Sequence, residues 1–199
     1  MRGTHWINTA SGRRFYYDDV RGEDFHIPDI AAALSRNCRY NGQLKDGPEL
    51  EDEIYSIAQH SVYVYWLLEQ DPVCPRKALP WALLHDAPEA YYTDMTSPQK
   101  EMSPEYRAAE EYAEGRFRPT HGIPYDEEVV RWVKYADIQV LWMESQVMCA
   151  IGSDQWSNPG MPVMTIQELD LEFYFWRPKK ARMEYLKAYA EIQKYLTQE

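Results

Sequence analysis

The sequence has 199 residues, 45% of them hydrophobic, with 16 Tyr and 7 Trp, which excludes a disordered composition and allows a sizeable core. No apolar run approaches the roughly 18 residues of a membrane helix. The net charge of −11 argues against a nucleic-acid polymer as partner, because non-specific binding to one needs a basic surface. Cys38, Cys74 and Cys149 are odd in number, widely spaced and without a CxxC, which argues against a disulfide framework or a zinc cluster and fits a reducing cytosol. The opening "MRGTHWINTASGRR" lacks the apolar centre of a secretory peptide, so a cytoplasmic location is expected.

Residues 5 to 27 read as irregular or extended, and the Ser-Gly turn in "INTASGRRFYY" predicts a small hairpin. From Pro28 the pattern turns helical: "PDIAAALSRNCRY" puts Ile30, Ala33 and Leu34 on one face. "NGQLKDGP" then breaks it. Residues 49 to 70 predict an amphipathic helix through Ile54, Ile57, Val64, Leu67 and Leu68. A further helix is expected from Arg76 or Leu79 to Asp86, with Pro80 at its first turn or at a kink. Residues 103 to 119, 125 to 149 and 179 to 197 predict three more, with a loop at "GSDQWSNPGMP" before the last. The expectation is one all-α domain over 1–199 with a small irregular or β-hairpin N-terminal addition.

Three of these helices carry ionisable residues on the face that should pack. His60 lies on the face of Ile57, Val64 and Leu67. His85 and Asp86 follow the apolar run "WALL", and Asp137 shares a face with Val130, Val133, Val140 and Leu141. Burying a charge is costly unless it is paired or bound to a metal. Taken singly, each has a plainer reading: a hydrogen-bonded core histidine, or an aspartate paired with a nearby Lys or Arg. Taken together, two imidazoles and two carboxylates suit one divalent metal, with zinc or cobalt favoured and manganese possible. Glu89 lies four residues after His85 and three after Asp86, beside the pair on a helix. A carboxylate there could move a proton.

At these residues the sequence resembles the HD-domain phosphohydrolases, all-α metal-dependent enzymes with the pattern H…HD…D. The resemblance spans roughly residues 28 to 150 and rests on "YSIAQHS", "ALLHDAPEAYYTDMTSPQK" and "VKYADIQVL". It implies an HD-type helical bundle with His60, His85, Asp86 and Asp137 as the metal ligands. Within the superfamily it is most similar to the 5′-deoxynucleotidase branch, whose HD-x-x-E is followed by an acid and a Pro-x-Lys element. That implies Glu89 as catalytic acid or base, Asp94 as a deoxyribose contact and Lys100 as a phosphate contact. Arg39 and Tyr40 stand where that branch usually has Arg-Trp, which implies phosphate binding and packing beside the sugar or base. "WINTASGRRF" and "DIAAALSRNCRYNG" look like blocks of phage dATP triphosphohydrolases. Arg36, a helical turn before Arg39, would add a phosphate contact. The resemblance therefore implies hydrolysis of dATP to deoxyadenosine and tripolyphosphate, in the host cytoplasm if phage-encoded, with 5′-deoxynucleotidase activity on dNMPs or a non-catalytic nucleotide-binding module as alternatives. It also implies a homo-oligomer.

Overall fold

A computed structural model describes residues 2–47, 50–151 and 174–196, and the loop expected at 152–162 lies outside them. The chain is all-α with a small antiparallel hairpin at its start. Strands β1 (Trp6–Asn8) and β2 (Arg14–Tyr16) pair with Ile7 opposite Phe15. Gly12 closes the connection at φ 82, a left-handed conformation that glycine adopts without a Cβ clash.

The helices are α1 (Ile27–Leu34), α2 (Ile57–Gln70), α3 (Leu79–Leu84), α4 (Glu89–Tyr92), α5 (Ser97–Glu101), α6 (Pro104–Thr120), α7 (Glu127–Met148) and α8 (Pro178–Ile192). Five of them, α1, α3, α5, α6 and α8, carry a proline as their first or second residue, where its missing N–H and fixed φ suit a first turn. Pro80 is thus a helix start and not a kink. The short helices α4 and α5 were not expected; they fold the run after Asp86 back into two single turns.

Two expected boundaries move. The helix expected from residue 49 begins at Ile57, where the Ser56 hydroxyl accepts the Gln59 N–H at 3.2 Å and caps the first turn. The pattern beginning at Pro28 does not run on to Tyr40. Helix α1 stops at Leu34, Cys38 is extended, and Arg39–Gly42 forms a separate turn with Tyr40 and Asn41 at φ 57 and 51. A Cys38–Ser56 bridge, with Arg39 N–H donating to the Tyr55 carbonyl at 2.9 Å, lays this turn against the start of α2.

Helix α2 is central and packs against α3, α7 and α8. Residues 57 to 65 are all buried, so the helix is covered on every side there and not on one face only. Each fully buried Leu, Ile or Val contributes on the order of 1.5–3 kcal/mol, and Ile57, Val62, Val64, Leu79, Leu83 and Leu84 all lie within this cluster. Among the described residues no helix is long and apolar enough to cross a membrane.

Candidate metal centre

His60 sits in the fully covered part of α2, at 0% exposure. Its Nδ1 lies 2.6 Å from Glu144 Oε1. An ionised carboxylate only accepts, so Nδ1 carries the proton and Nε2 points the other way. There it meets Asp137 Oδ1 at 3.2 Å and Asp86 Oδ2 at 3.8 Å. His85 follows the last residue of α3, and its Nδ1 donates to the Ala82 carbonyl at 2.9 Å. Its Nε2 is therefore also turned away from its own helix, 3.2 Å from Asp86 Oδ1. The two rings lie 5.5 Å apart.

Ligand atoms of His60, His85 and Asp86 fall within 4.8 Å of one another. Asp137 approaches the group from α7, and its other oxygen pairs with Lys134 at 2.9 Å. Neither Nε2 has a hydrogen bond of good geometry although both are buried. Two orphaned imidazole nitrogens among carboxylates fit a divalent cation of the zinc, cobalt or manganese type, which would replace the missing hydrogen bonds. Titration points the same way. Burial and the Arg39 guanidinium oppose a charged His60, yet Glu144 and Asp137 outweigh them and hold its pKa up at about 9. For Asp137, burial opposes ionisation, and the His60 ring, helped by His85 and Lys134, keeps the carboxyl well below its usual range. The pocket favours a positive charge at its centre.

Glu89 opens α4 at 5% exposure. Its Oε1 accepts from Lys100 Nζ at 3.1 Å, while its Oε2 is buried without a hydrogen bond. Burial, with Asp86 and Asp94 nearby, pushes its carboxyl well up; Lys100 and Arg39 offset part of this. Asp94 is likewise raised by burial. It follows Thr93, a β-branched residue at φ 69, a conformation held only where the surroundings enforce it. Lys100 is held between Glu89 and Glu110 of α6, the latter at 2.8 Å.

The expected phosphate contacts separate. Arg39 is buried between Asp86 (3.5 Å) and Glu144 (3.3 Å). Tyr40 turns its hydroxyl to Glu144 Oε2 at 2.8 Å. Arg36 does not join them. Because α1 ends at Leu34, the assumed one-turn spacing to Arg39 does not exist. Arg36 instead bonds the Ala32 carbonyl and lines a cleft of about 410 Å³ with Lys179, Arg182 and Met183 of α8.

Over 139 residues, 70% of this chain and 70% of the relative, the sequence is 37% identical to the uncharacterized protein YfdR of Escherichia coli K12. The chain belongs to the YfdR family. A second relative, an uncharacterized protein of Rhodobacter capsulatus, is 38% identical over 96 residues, 48% of this chain and 46% of that protein. No protein-family model matches the sequence.

In this YfdR-family chain two site-wall residues escaped the sequence reading. Glu144 is fully buried and lies seven residues, two helical turns, after Asp137 on the same face of α7. That spacing was a usable signal. Glu110 gave none, since α6 reads as a solvated charged helix and only the fold turns this one carboxylate inward.

Proposed function

We propose that the protein is a metal-dependent phosphohydrolase of 2′-deoxynucleotides built on an HD-type helical bundle. The observation that carries the reading is the meeting of His60, His85, Asp86 and Asp137 from three helical segments around two orphaned Nε2 atoms, with a raised carboxyl, Glu89, beside them. A bound divalent cation supplies Lewis acidity toward a phosphate ester and its attacking water. The chain's own residues do the rest. Water oxygen bonds to phosphorus as the P–O5′ bond breaks; Glu89, whose carboxyl is pushed well up by burial, passes a proton to the departing O5′ and recovers one from the attacking water. Lys100 and Arg39 offset charge on the phosphate oxygens, and Asp94 accepts from the sugar hydroxyl. With dATP the products are deoxyadenosine and tripolyphosphate; with a dNMP they are the deoxynucleoside and phosphate.

The N-terminal sequence blocks favour dATP. The position of Arg36 favours the second reading, a 5′-deoxynucleotidase. A triphosphate needs several unpaired cations, yet Arg36 faces the α8 cleft and both Arg39 and Lys100 already hold two carboxylates each. The test is a product assay across dNMPs, dNTPs and NTPs with zinc, cobalt or manganese, separating nucleoside, phosphate and tripolyphosphate. Phosphate released from dNMPs with dATP left intact rules out the triphosphate reading. Tight metal binding with no turnover of any nucleotide replaces the enzyme with a nucleotide-binding module.

A further inference from the structure

Resting on the metal-centre reading above, we infer that Glu144 is a positioning residue, which fixes the ring tautomer and orientation of His60 and so sets the affinity of the site for its metal.

Glu144 is at 0% exposure, in the second turn of α7 from its end, and both oxygens are engaged. Oε1 accepts from His60 Nδ1 at 2.6 Å and from the Tyr55 hydroxyl at 2.7 Å. Oε2 accepts from the Tyr40 hydroxyl at 2.8 Å and pairs with Arg39 Nε at 3.3 Å. Two separate segments of chain, residues 39–40 and 55–60, thus converge on one carboxylate of α7. A carboxylate accepting at Nδ1 fixes that nitrogen as the one that keeps its proton, so Nε2 is the nitrogen that gives its proton up to a metal, and a charged acceptor raises the basicity of that ligating nitrogen.

A carboxylate that served only to neutralise Arg39 would not need His60. Arg39 already has Asp86 at 3.5 Å, and the shortest contact Glu144 makes is to the imidazole. The anchor also explains an unusual backbone. Tyr40 is a bulky residue at φ 57, ψ 23, which costs on the order of 1 kcal/mol or more. Its hydroxyl bond to Glu144 holds it there.

The test compares zinc affinity of the full-length wild type, Glu144→Gln and Glu144→Asp by competition with a chelating dye, alongside thermal melts. E144Q is expected to bind zinc about 10–100-fold more weakly, with part of the loss restored in E144D. In the zinc-loaded wild type, nitrogen-edited NMR is expected to show a downfield Nδ1 proton on His60. Unchanged zinc affinity in folded E144Q overturns the inference. So does a His60 ring without a proton on Nδ1, a measurement that needs no variant to fold. A wild type that binds none of zinc, cobalt or manganese overturns the metal-centre reading itself, before any variant is compared.

Discussion

Asp137 and Glu89 are both carboxylates in one acidic pocket, yet their surroundings move them in opposite directions. Burial opposes ionisation in each. At Asp137 the neighbouring imidazoles and Lys134 win, whereas at Glu89 the nearby Asp86 and Asp94 add to burial. A carboxyl whose charge is favoured suits a cation, and one whose proton is favoured suits proton transfer, so their substitutions should separate. Asp137→Asn is expected to lower zinc affinity at least 10-fold. Glu89→Gln is expected to leave zinc affinity within about 3-fold while cutting kcat by 10²–10⁴-fold, the usual worth of a general acid or base. Isothermal titration beside a phosphate-release assay reads both, and full activity in E89Q sinks the proton-donor role. His60, His85, Asp86 and Asp137 could be picked out of the sequence because an ionisable group in an apolar run is conspicuous. The environments that set the proton affinity of Glu89 could not, because Asp94, Lys100 and Glu110 reach it only through the turns α4 and α5 and the facing helix α6.

At the scale of elements, the hairpin is secured to α1 by one aspartate. Asp29, 3% exposed in the first turn of α1, accepts from the Thr9 hydroxyl at 2.8 Å and from both the Ser11 N–H and hydroxyl at 2.7 Å. Burial would raise its pKa, but these donors together with His26 outweigh burial and hold it below the ordinary value. The sign follows. A folded pKa below the unfolded one gives stability that is complete above the ordinary carboxylate pKa, near 4, and is lost as pH falls through the lowered value. Asp29→Ala is expected to lower unfolding free energy by about 1–3 kcal/mol at neutral pH, with the gap to wild type closing under acid. Urea melts at two pH values measure it, and an equal gap at both contradicts the assignment. The hairpin was visible in advance from its Ser-Gly turn. Its fastening was not, because nothing local links residues 9 to 11 with residue 29. Helix starts were legible at Pro28, Pro80, Pro104 and Pro178, but not at Ser56 or Pro98. Residues 50 to 55 lie outside the helix expected from residue 49, because the cap at Ser56 starts it only at Ile57.

For the whole molecule, a site drawn from α2, the end of α3 and α7 exists only when those parts of the chain are folded together. A cation that binds the native state alone must then stabilise all of it. At free metal 100 times Kd the gain is about 2.7 kcal/mol, a rise of several degrees in melting temperature for a chain of this length. Calorimetry with zinc and with a chelator should show that difference; superimposable traces would mean the cluster holds no ion. The hairpin carries a second consequence at this scale. Phe15 stacks on Tyr91 at 4.1 Å, and the Tyr17 hydroxyl donates to the Tyr91 carbonyl at 2.6 Å. Tyr91 belongs to the same short helix as Glu89, so the hairpin braces the segment that carries the proposed proton donor. A screen of random variants for lost turnover should therefore recover changes at Phe15 and Tyr17, and those proteins should still be captured by an immobilised zinc-loading assay. On the proposed reading, a change at Phe15 or Tyr17 would silence the pocket while leaving each of its residues in place.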